Sequence, residues 1–587
     1  MAENKNANVP VASHGLHKHD YNFPWLSSIN FCNVMPCYYN PVRKGERDSP
    51  KAGLFSQLMP IAHNAFATGR YNFKAIFVPY KFVWRPWYAF DQSTEYLSNG
   101  VPSLPQRYPY VSMSALNTSF YNLMTVPGSQ DEYDLIWGDA QATHEYRRVN
   151  NDGRVVLRIL MALGCTPTFN GGGKETINIL PLMCYIKAFA DYYFPNQYVG
   201  NSYYHRLAKF FDTDTIDFSS ETDDLLDALL TCGYTFYDNS IFDNCWDNPI
   251  SPNMSQLEPS VNVHDITNDS AYHQVVTNDG QGIVSPYGPG TRPSNGTPFV
   301  GGNSTGQANA TGVITDYVIN ALKSVSMWAK RHQLSGARLL DRFLVSRGIT
   351  IGNDDARISY FMGQRNVEIE VSSVENNTNT NLGELAGKGV ASSGKDPISF
   401  KIRPESDGIF LVIVSAIPDA TFPVYRDGFV SRVDYMDNYH AEFDKLGAAA
   451  VPAHNVYLTN NGAENLAHQN AVFGFLNQYW SEVEERPRLM GDFFLKSKGS
   501  EELAAYHTFR KIPSTLSNAH SYSFIRSGSD YSQYQRLFYS INQENLMLFL
   551  RWFGTQYKEK LPLGDSYEWD DDEMNRRVNI VVNGPQK

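Results

Sequence analysis

From Trp25 onward, short apolar runs alternate with Gly, Pro, Asn and Asp, the texture of many short strands joined by long loops. Over Arg70–Val78, Tyr71, Phe73, Ala75 and Phe77 alternate with Asn72, Lys74, Ile76 and Val78. That period of two predicts a strand with one aromatic face and one mixed, half-exposed face. Gly408–Ile417 is a continuous apolar run, which suits a strand covered on both faces. Val367–Val371 alternates as well. Helical spacing marks Leu180–Tyr193, with Pro181 at a position that loses no hydrogen bond. The longest helical stripe is Thr315–Val345: Val318, Leu322, Val325 and Trp328, then Leu339, Leu340, Phe343 and Leu344, with Gly348 as the stop. Shorter helices are predicted at Thr222–Leu230 and Glu464–Tyr479. These helices separate strands that lie far apart in the chain, without regular βαβ alternation, so a mainly β fold is expected and a parallel α/β sheet is not.

Four stretches bound the domain. Residues 1–24 are polar and rich in Asn and His and read as a flexible N-terminal arm, leaving 25–587 as a single domain. Within it, 250–312 is loaded with Gly, Asn, Ser, Thr and Pro and reads as a surface excursion; a structureless stretch of that length is functional or disordered. Residues 375–396 form a second Gly/Asn-rich loop. No tandem repeat of solenoid period is present.

Composition sharpens this picture. Of 587 residues, 13% are aromatic and only 19% charged, below the usual ~25%. Aromatics favour strands and interfaces. The formal charge is −12, so a free-standing nucleic-acid binder with a broad basic face is not expected. The segment from Met1 to Asn8 lacks the apolar core of a signal peptide, and no apolar run approaches the ~20 residues of a membrane span. A soluble chain made in the cytosol is the expectation. The six cysteines, at positions 32, 37, 165, 184, 232 and 245, form no CxxC pair and read as buried thiols.

Candidate chemistry is sparse. His14, His17 and His19 crowd the N-terminal segment, but nothing there would fix tetrahedral metal geometry. The acidic run Glu568–Glu573 lacks the alternation of a calcium loop and reads as a solvated tail. Gly171–Lys174 does not satisfy the phosphate-loop pattern. No motif of a hydrolase, metalloprotease or kinase is met, so no catalytic residue, metal ligand or cofactor site is expected. Basic residues interleave with aromatics at Arg70–Tyr88 (Arg70, Lys74, Lys81, Arg85), at Arg147–Arg158 and at Arg576-Arg577. Such mixtures can pair phosphates and stack bases. Arg147, Arg148, Arg576 and Arg577 are the DNA-contact candidates.

The stretch from Gly69 to Phe90, with Phe77, Val78, Pro79, Trp84, Trp87 and Phe90, resembles a segment near the N-terminus of the major capsid protein of the Microviridae, the small icosahedral single-stranded DNA phages. Further similar segments follow in the same order: Leu180-Pro181 with Tyr185 and Tyr192-Tyr193-Phe194; Gly336-Ala-Arg338 with Leu339; Gly387 in its Gly-rich turn; and Asp407-Gly-Ile-Phe-Leu-Val-Ile-Val-Ser-Ala-Ile-Pro418. Asp407 stands where a His is common. Phe473-Gly474, Tyr479, Pro487-Arg488 and Gly491-Asp-Phe493 extend the likeness.

The resemblance implies an eight-stranded antiparallel jelly roll of viral-capsid type with large helical and loop insertions. It implies structural or core roles for Trp84, Trp87, Phe77, Pro79, Leu180, Pro181, Gly336, Arg338 and Gly387. It also implies a non-enzymatic chain that self-assembles into a T=1 icosahedral shell around circular single-stranded DNA, in the host bacterial cytoplasm and then in the virion. The implied partners are other copies of the chain, a small basic DNA-binding protein, a minor or pilot capsid protein, an internal scaffolding protein and a host surface receptor. The 250–312 segment is the candidate three-fold protrusion and receptor-facing loop. The rival expectation is a secreted carbohydrate-binding or glycoside-hydrolase β-sandwich, which the N-terminal composition disfavours.

Overall fold

A computed structural model describes residues 6–10, 17–58, 69–98, 101–129, 135–137, 145–167, 175–195, 198, 202–238, 240–245, 274–276, 282–284, 324, 327–328, 338–375, 385–393, 397–422, 426–433, 435–441, 448–456, 472–484, 486–488, 525–526, 548–560 and 577–581. The chain divides into two compact units: Met1–Asp247 with Ala337–Leu340 and Thr350–Lys587, and Asn248–Gly336 with Asp341–Ile349.

The first unit is built on antiparallel strands. In chain order they are β1 (His17–Ile29), β2 (Val34–Val42), β3 (Arg47–Leu58), β4 (Gly69–Pro79), β5 (Tyr360–Glu375), β6 (Leu385–Ser392), β7 (Gly408–Pro418) and β8 (Leu548–Lys560). Their order is β1-β8-β3-β6-β5-β4-β7-β2, with the two-residue strand Ile398–Ser399 also pairing with β3. The long strand β5 serves both halves: Tyr360–Ile369 pairs with β4, and Glu370–Glu375 pairs with β6. Strands therefore fall into two groups of four, β1-β8-β3-β6 and β5-β4-β7-β2.

Buried polar contacts tie the groups together. Ser56 Oγ on β3 and Tyr71 OH on β4 share a 2.6 Å hydrogen bond. Tyr38 OH on β2 and Asn40 Nδ2 each donate to Asp48 Oδ2 on β3, both at 2.7 Å. Burial, then the nearby Asp48, pushes the Tyr38 phenol well above its ordinary pKa, so it remains a donor. One continuous apolar core holds residues of both groups, including Leu54, Phe73, Ile76, Ala391 and Phe410.

Strand β7 is buried along its whole length, as its unbroken apolar run requires. In β4 the expected half-exposed face is absent: Ile76 and Val78 are as buried as Phe73 and Phe77, leaving only Arg70 and Lys74 partly exposed. The reason is its central place between β5 and β7, where neighbouring elements cover both faces.

The excursion between β4 and β5 supplies the helices α1 (Met113–Met124), α2 (Asn151–Ala162), α3 (Leu180–Tyr192) and α4 (Thr222–Cys232). Ser112 Oγ accepts the Ala115 N–H at 3.3 Å and Asn150 Oδ1 accepts the Gly153 N–H at 2.6 Å, capping α1 and α2. Pro181 occupies the first turn of α3, and that helix packs against β4 and β7. The helices predicted over Leu180–Tyr193 and Thr222–Leu230 are thus present.

Other expectations need correction. The supposed flexible arm, 1–24, contains Asn6–Pro10, a strand paired with Arg577–Val581, and the first part of β1, paired with β8. Strand pairing uses backbone groups that polar residues also carry, so polarity alone does not make an arm. The loop expected at 375–396 contains β6, whose Gly387 faces Ser373 of β5 in register. Where a helix is predicted over Glu464–Tyr479, Val472–Asn477 is a strand paired with Ala448–Pro452. Its aromatic residues suit a strand, and cross-strand pairing overrides the helical spacing. Of the helix predicted over Thr315–Val345, Ser324, Met327 and Trp328 are helical and a helix runs Leu339–Arg347, with Arg338 outside it; the rest of 315–337 lies outside the described residues. It ends at Gly348, φ +68°, as expected of a left-handed stop. In the second unit, Gln274–Val276 pairs with Gly282–Val284 as a short hairpin inside the stretch read as a loop; the rest of 250–312 lies outside the described residues.

Candidate functional site

The basic–aromatic stretch Arg70–Tyr88 divides in three dimensions. Pro79 ends β4, a single helical turn over Tyr80–Val83 follows, and Trp84 and Trp87 then pack inward. Trp87 lies 4.3 Å from the Tyr80 ring, Trp84 meets Phe90 edge-on at 5.5 Å, and Phe90 stacks toward Tyr108 at 4.6 Å. Both indole N–H groups are buried with no hydrogen-bond partner among the described residues. Trp84, Trp87, Phe77 and Pro79 are all buried.

Lys81 and Arg85 point the other way, into an open cleft of about 360 Å³ that is also lined by Phe82, Tyr96, Asp354 and Arg357. Backbone bonds hold its far wall: the Asp212 N–H donates to Phe82 O at 3.1 Å, and the Arg85 N–H to Thr213 O at 3.1 Å. Arg85 then pairs with Asp212 at 2.9 Å and with Asp214 at 3.6 Å, Arg357 pairs with Asp212, and Lys81 with Asp354 at 2.5 Å. Asp212 (φ +57°) and Arg357 (φ +51°) both adopt left-handed backbone, an uncommon conformation for side-chain-bearing residues. Tyr96 donates to Asp214 at 2.9 Å and Tyr360 to Asp354 at 3.2 Å. Burial first, and the carboxylate beside each, raises both phenols, Tyr360 to about 12, so they stay protonated donors. Three cations meet three carboxylates here. The arrangement is a neutralised ion-pair framework, with no nucleophile poised beside a base.

Arg70 and Lys74 go elsewhere. Arg70 pairs with Asp238 at 2.9 Å. Lys74 reaches the C-terminal end of α3, where Nζ donates to Tyr192 O at 3.3 Å and sits 4.2 Å over the Tyr193 ring. Arg338 Nη2 donates to Phe194 O at 3.0 Å and Ala190 O at 3.4 Å. Two cations thus satisfy the last carbonyls of α3 and oppose its negative dipole end. One turn back, Lys187 Nζ is 2.8 Å from Asp191 Oδ1, both side chains being buried. Asp191 Oδ2 also accepts the Ser359 N–H at 2.8 Å and Ser359 OH at 2.7 Å. The helix is thereby locked to the residue preceding β5. Arg338 is therefore a helix-capping residue, and Leu180 is buried at the other end of the same helix.

Among the described residues, the DNA-contact candidates Arg147 and Arg148 do not form one patch. Arg147 and Arg148 are successive residues of the strand Glu145–Val149, so they face opposite sides of its three-stranded sheet. Arg147 donates from Nε to Thr125 Oγ1 at 3.2 Å and lies 4.0 Å over the Tyr121 ring. Arg577 pairs with Pro10 through the backbone, whereas Arg576, Gly336, Gly171–Lys174, His14 and the acidic run 568–573 lie outside the described residues. His17 and His19 are residues of β1. All six cysteines are buried. Burial holds the Cys37, Cys184 and Cys232 thiols well up, and Cys165 at about 11, so none of these four is a thiolate at neutral pH. Among the described residues no cluster of His, Cys, Asp and Glu fits a metal, and no helix is long and apolar enough to cross a membrane.

Sequence reasoning missed Asp212, Asp214, Asp354 and Arg357. Asp212 lies 127 residues from Arg85 and 145 from Arg357, so no local spacing could join them. It also missed an exposed apolar surface on 426–441 and 472–484 that carries Phe429, Val433, Tyr435 and Val483. No protein-family model matches this chain, and no curated protein matches it.

Proposed function

We propose that this chain is a shell-forming structural protein, a major capsid protein of the microvirus type that packs against copies of itself around a single-stranded DNA genome. The observation that carries the proposal is the strand order. Each of the first four strands pairs antiparallel with one of the last four: β1 with β8, β2 with β7, β3 with β6 and β4 with β5. That pairing supports the reading of an eight-stranded jelly roll, an architecture used by viral capsid and lectin domains. The Microviridae resemblance of Gly69–Phe90 and of the later segments selects the capsid from that pair. The low charge fraction and high aromatic content suit a surface that becomes interface.

Function here is mechanical. Repeated contacts between copies close by symmetry, and the acidic chain leaves phosphate neutralisation to a basic partner. The 250–312 segment is the proposed protrusion and receptor-facing element. Purified chain, with and without co-produced phage proteins, is tested by sedimentation and negative-stain electron microscopy. Uniform closed particles are expected. A stable monomer under both conditions, binding or hydrolysing glycans on an array, would overturn the proposal in favour of the carbohydrate-active β-sandwich.

A further inference from the structure

We infer that the surface made by Phe429, Val430, Val433, Tyr435, Tyr439 and Val483 is a contact face for a second copy of this chain, an assignment that rests on the shell-forming reading above. These side chains are 70, 68, 87, 74, 56 and 71% exposed. At about 150–250 Å² for each aromatic side chain, the three rings alone present about 400 Å² of open surface. The three valines extend it. That matches the few hundred Å² at which an exposed patch marks an interaction site, and it supplies about half of the ~800 Å² per partner in a standard interface.

The face is held rigid before any partner arrives. Asp427 Oδ1 accepts the Phe429 N–H and Asp437 Oδ2 the Val433 N–H, each at 2.9 Å. Asn455 Nδ2 donates to Arg426 O at 2.9 Å and Ser431 Oγ at 2.8 Å. Tyr479 OH accepts the His440 N–H at 2.9 Å, with its ring 4.9 Å from Tyr439. Association therefore costs little ordering entropy.

Charge decides the occupant. At −12, copies of this chain repel one another except where charge is locally cancelled. Among the described residues the nearby charges balance: Arg432 pairs with Glu482 at 2.5 Å and Arg488 with Asp427 at 2.9 Å, and the exposed Arg426 and Asp437 are opposite in sign. Among the described residues the outward surface is chiefly apolar with its charges balanced, suited to an equally apolar, neutral counterpart and not to a basic protein or a phosphate backbone. The same unit offers such a counterpart in the exposed Tyr88, Leu97, Leu104 and Tyr108.

The test is the double variant Val433→Arg/Val483→Arg, compared with the unmodified chain by analytical ultracentrifugation across a concentration series. It places charge on two exposed side chains and lowers the net negative charge, so lost assembly could not come from greater overall repulsion. The unmodified chain is expected to form oligomers and the variant to remain monomeric with an unchanged circular dichroism spectrum. A folded variant that assembles like the unmodified chain overturns this contact face and leaves the shell-forming proposal standing. An unmodified chain that stays monomeric throughout, alone and with co-produced phage proteins, overturns both. Should the variant misfold, a benzophenone photo-crosslinker at Phe429 in the otherwise unmodified assembled chain decides: adducts to peptides of a second copy support the assignment, and their absence overturns it.

Discussion

Removing the Asp191 carboxylate is the sharpest perturbation of the frame that joins helix to sheet. Its two oxygens receive Lys187 Nζ at 2.8 Å, the Ser359 N–H at 2.8 Å and the Ser359 hydroxyl at 2.7 Å. Both ionised side chains are almost fully enclosed, 7 and 6% exposed, and the Lys187 ammonium lies 4.7 Å from the Phe211 ring. Asp191→Ala strands that ammonium without a counter-ion, which costs about 3–5 kcal/mol for a buried pair. The two orphaned Ser359 donors push the loss toward the upper end. Lys187→Met keeps the apolar stem and leaves Asp191 two donors, so its cost is smaller. Lys187→Met combined with Asp191→Leu removes both charges; only the Ser359 donors are then unpaired, at about 1–3 kcal/mol each. The double variant should therefore be more stable than Asp191→Ala alone. Equilibrium urea denaturation at fixed protein concentration measures all three, provided the slope with denaturant is unchanged. A loss below about 1 kcal/mol for Asp191→Ala, the scale of a surface pair, would refute the reasoning. So would a double variant no more stable than Asp191→Ala.

Other expectations are simpler. Trp84→Ala, at a fully buried indole facing Phe90, should cost about 3–5 kcal/mol, seen as a lowered Tm in calorimetry; an unchanged Tm would contradict its packing. Lys74 has its pKa lowered chiefly by burial, so over the window between its folded and unfolded values the unfolded chain binds the extra proton. Unfolding free energy should then rise with pH toward the ordinary lysine value of about 10.4, and Lys74→Met should flatten that rise in paired thermal melts. Gly408→Ala places a Cβ 2.3 Å from Val78 O and 2.7 Å from Phe77 Cζ, overpacking worth at least about 1–3 kcal/mol. Gly348→Ala meets nothing within 4 Å and should cost only the left-handed backbone penalty of about 1–2 kcal/mol, so a larger loss there than at Gly408 would contradict the packing.

Periodicity was a good guide wherever one segment's own geometry settles its burial. The alternation of Tyr71, Phe73, Ala75 and Phe77, the unbroken run Ile409–Val414 and the three-to-four spacing after Leu180 each correspond to an element in place. It failed where a distant partner decides. Val472–Asn477 has helix-compatible spacing, yet pairing with Ala448–Pro452 makes it a strand. His17–Asn22 looked like solvent-facing arm because pairing with Tyr557–Lys560 and its neighbours depends on backbone groups, which composition does not report. The candidate site suffered most. Lys81 and Arg85 were visible as basic residues among aromatics, but the carboxylates that cancel them come from Asp212, Asp214 and Asp354. Arg147 and Arg148 looked like one basic patch until strand geometry sent them to opposite faces.

By itself, then, the sequence determined which segments are apolar enough to be covered, where the helices after Leu180 and Thr222 lie, and that strands would dominate with little charge between them. Tertiary structure alone decided the order β1-β8-β3-β6 and β5-β4-β7-β2, which charges meet, and which aromatics face outward. The division has a physical cause. Side-chain periodicity records what one segment needs from its surroundings, whereas strand partners and ion pairs are chosen among groups that are alike along the chain, by the closure of long loops that no local pattern encodes.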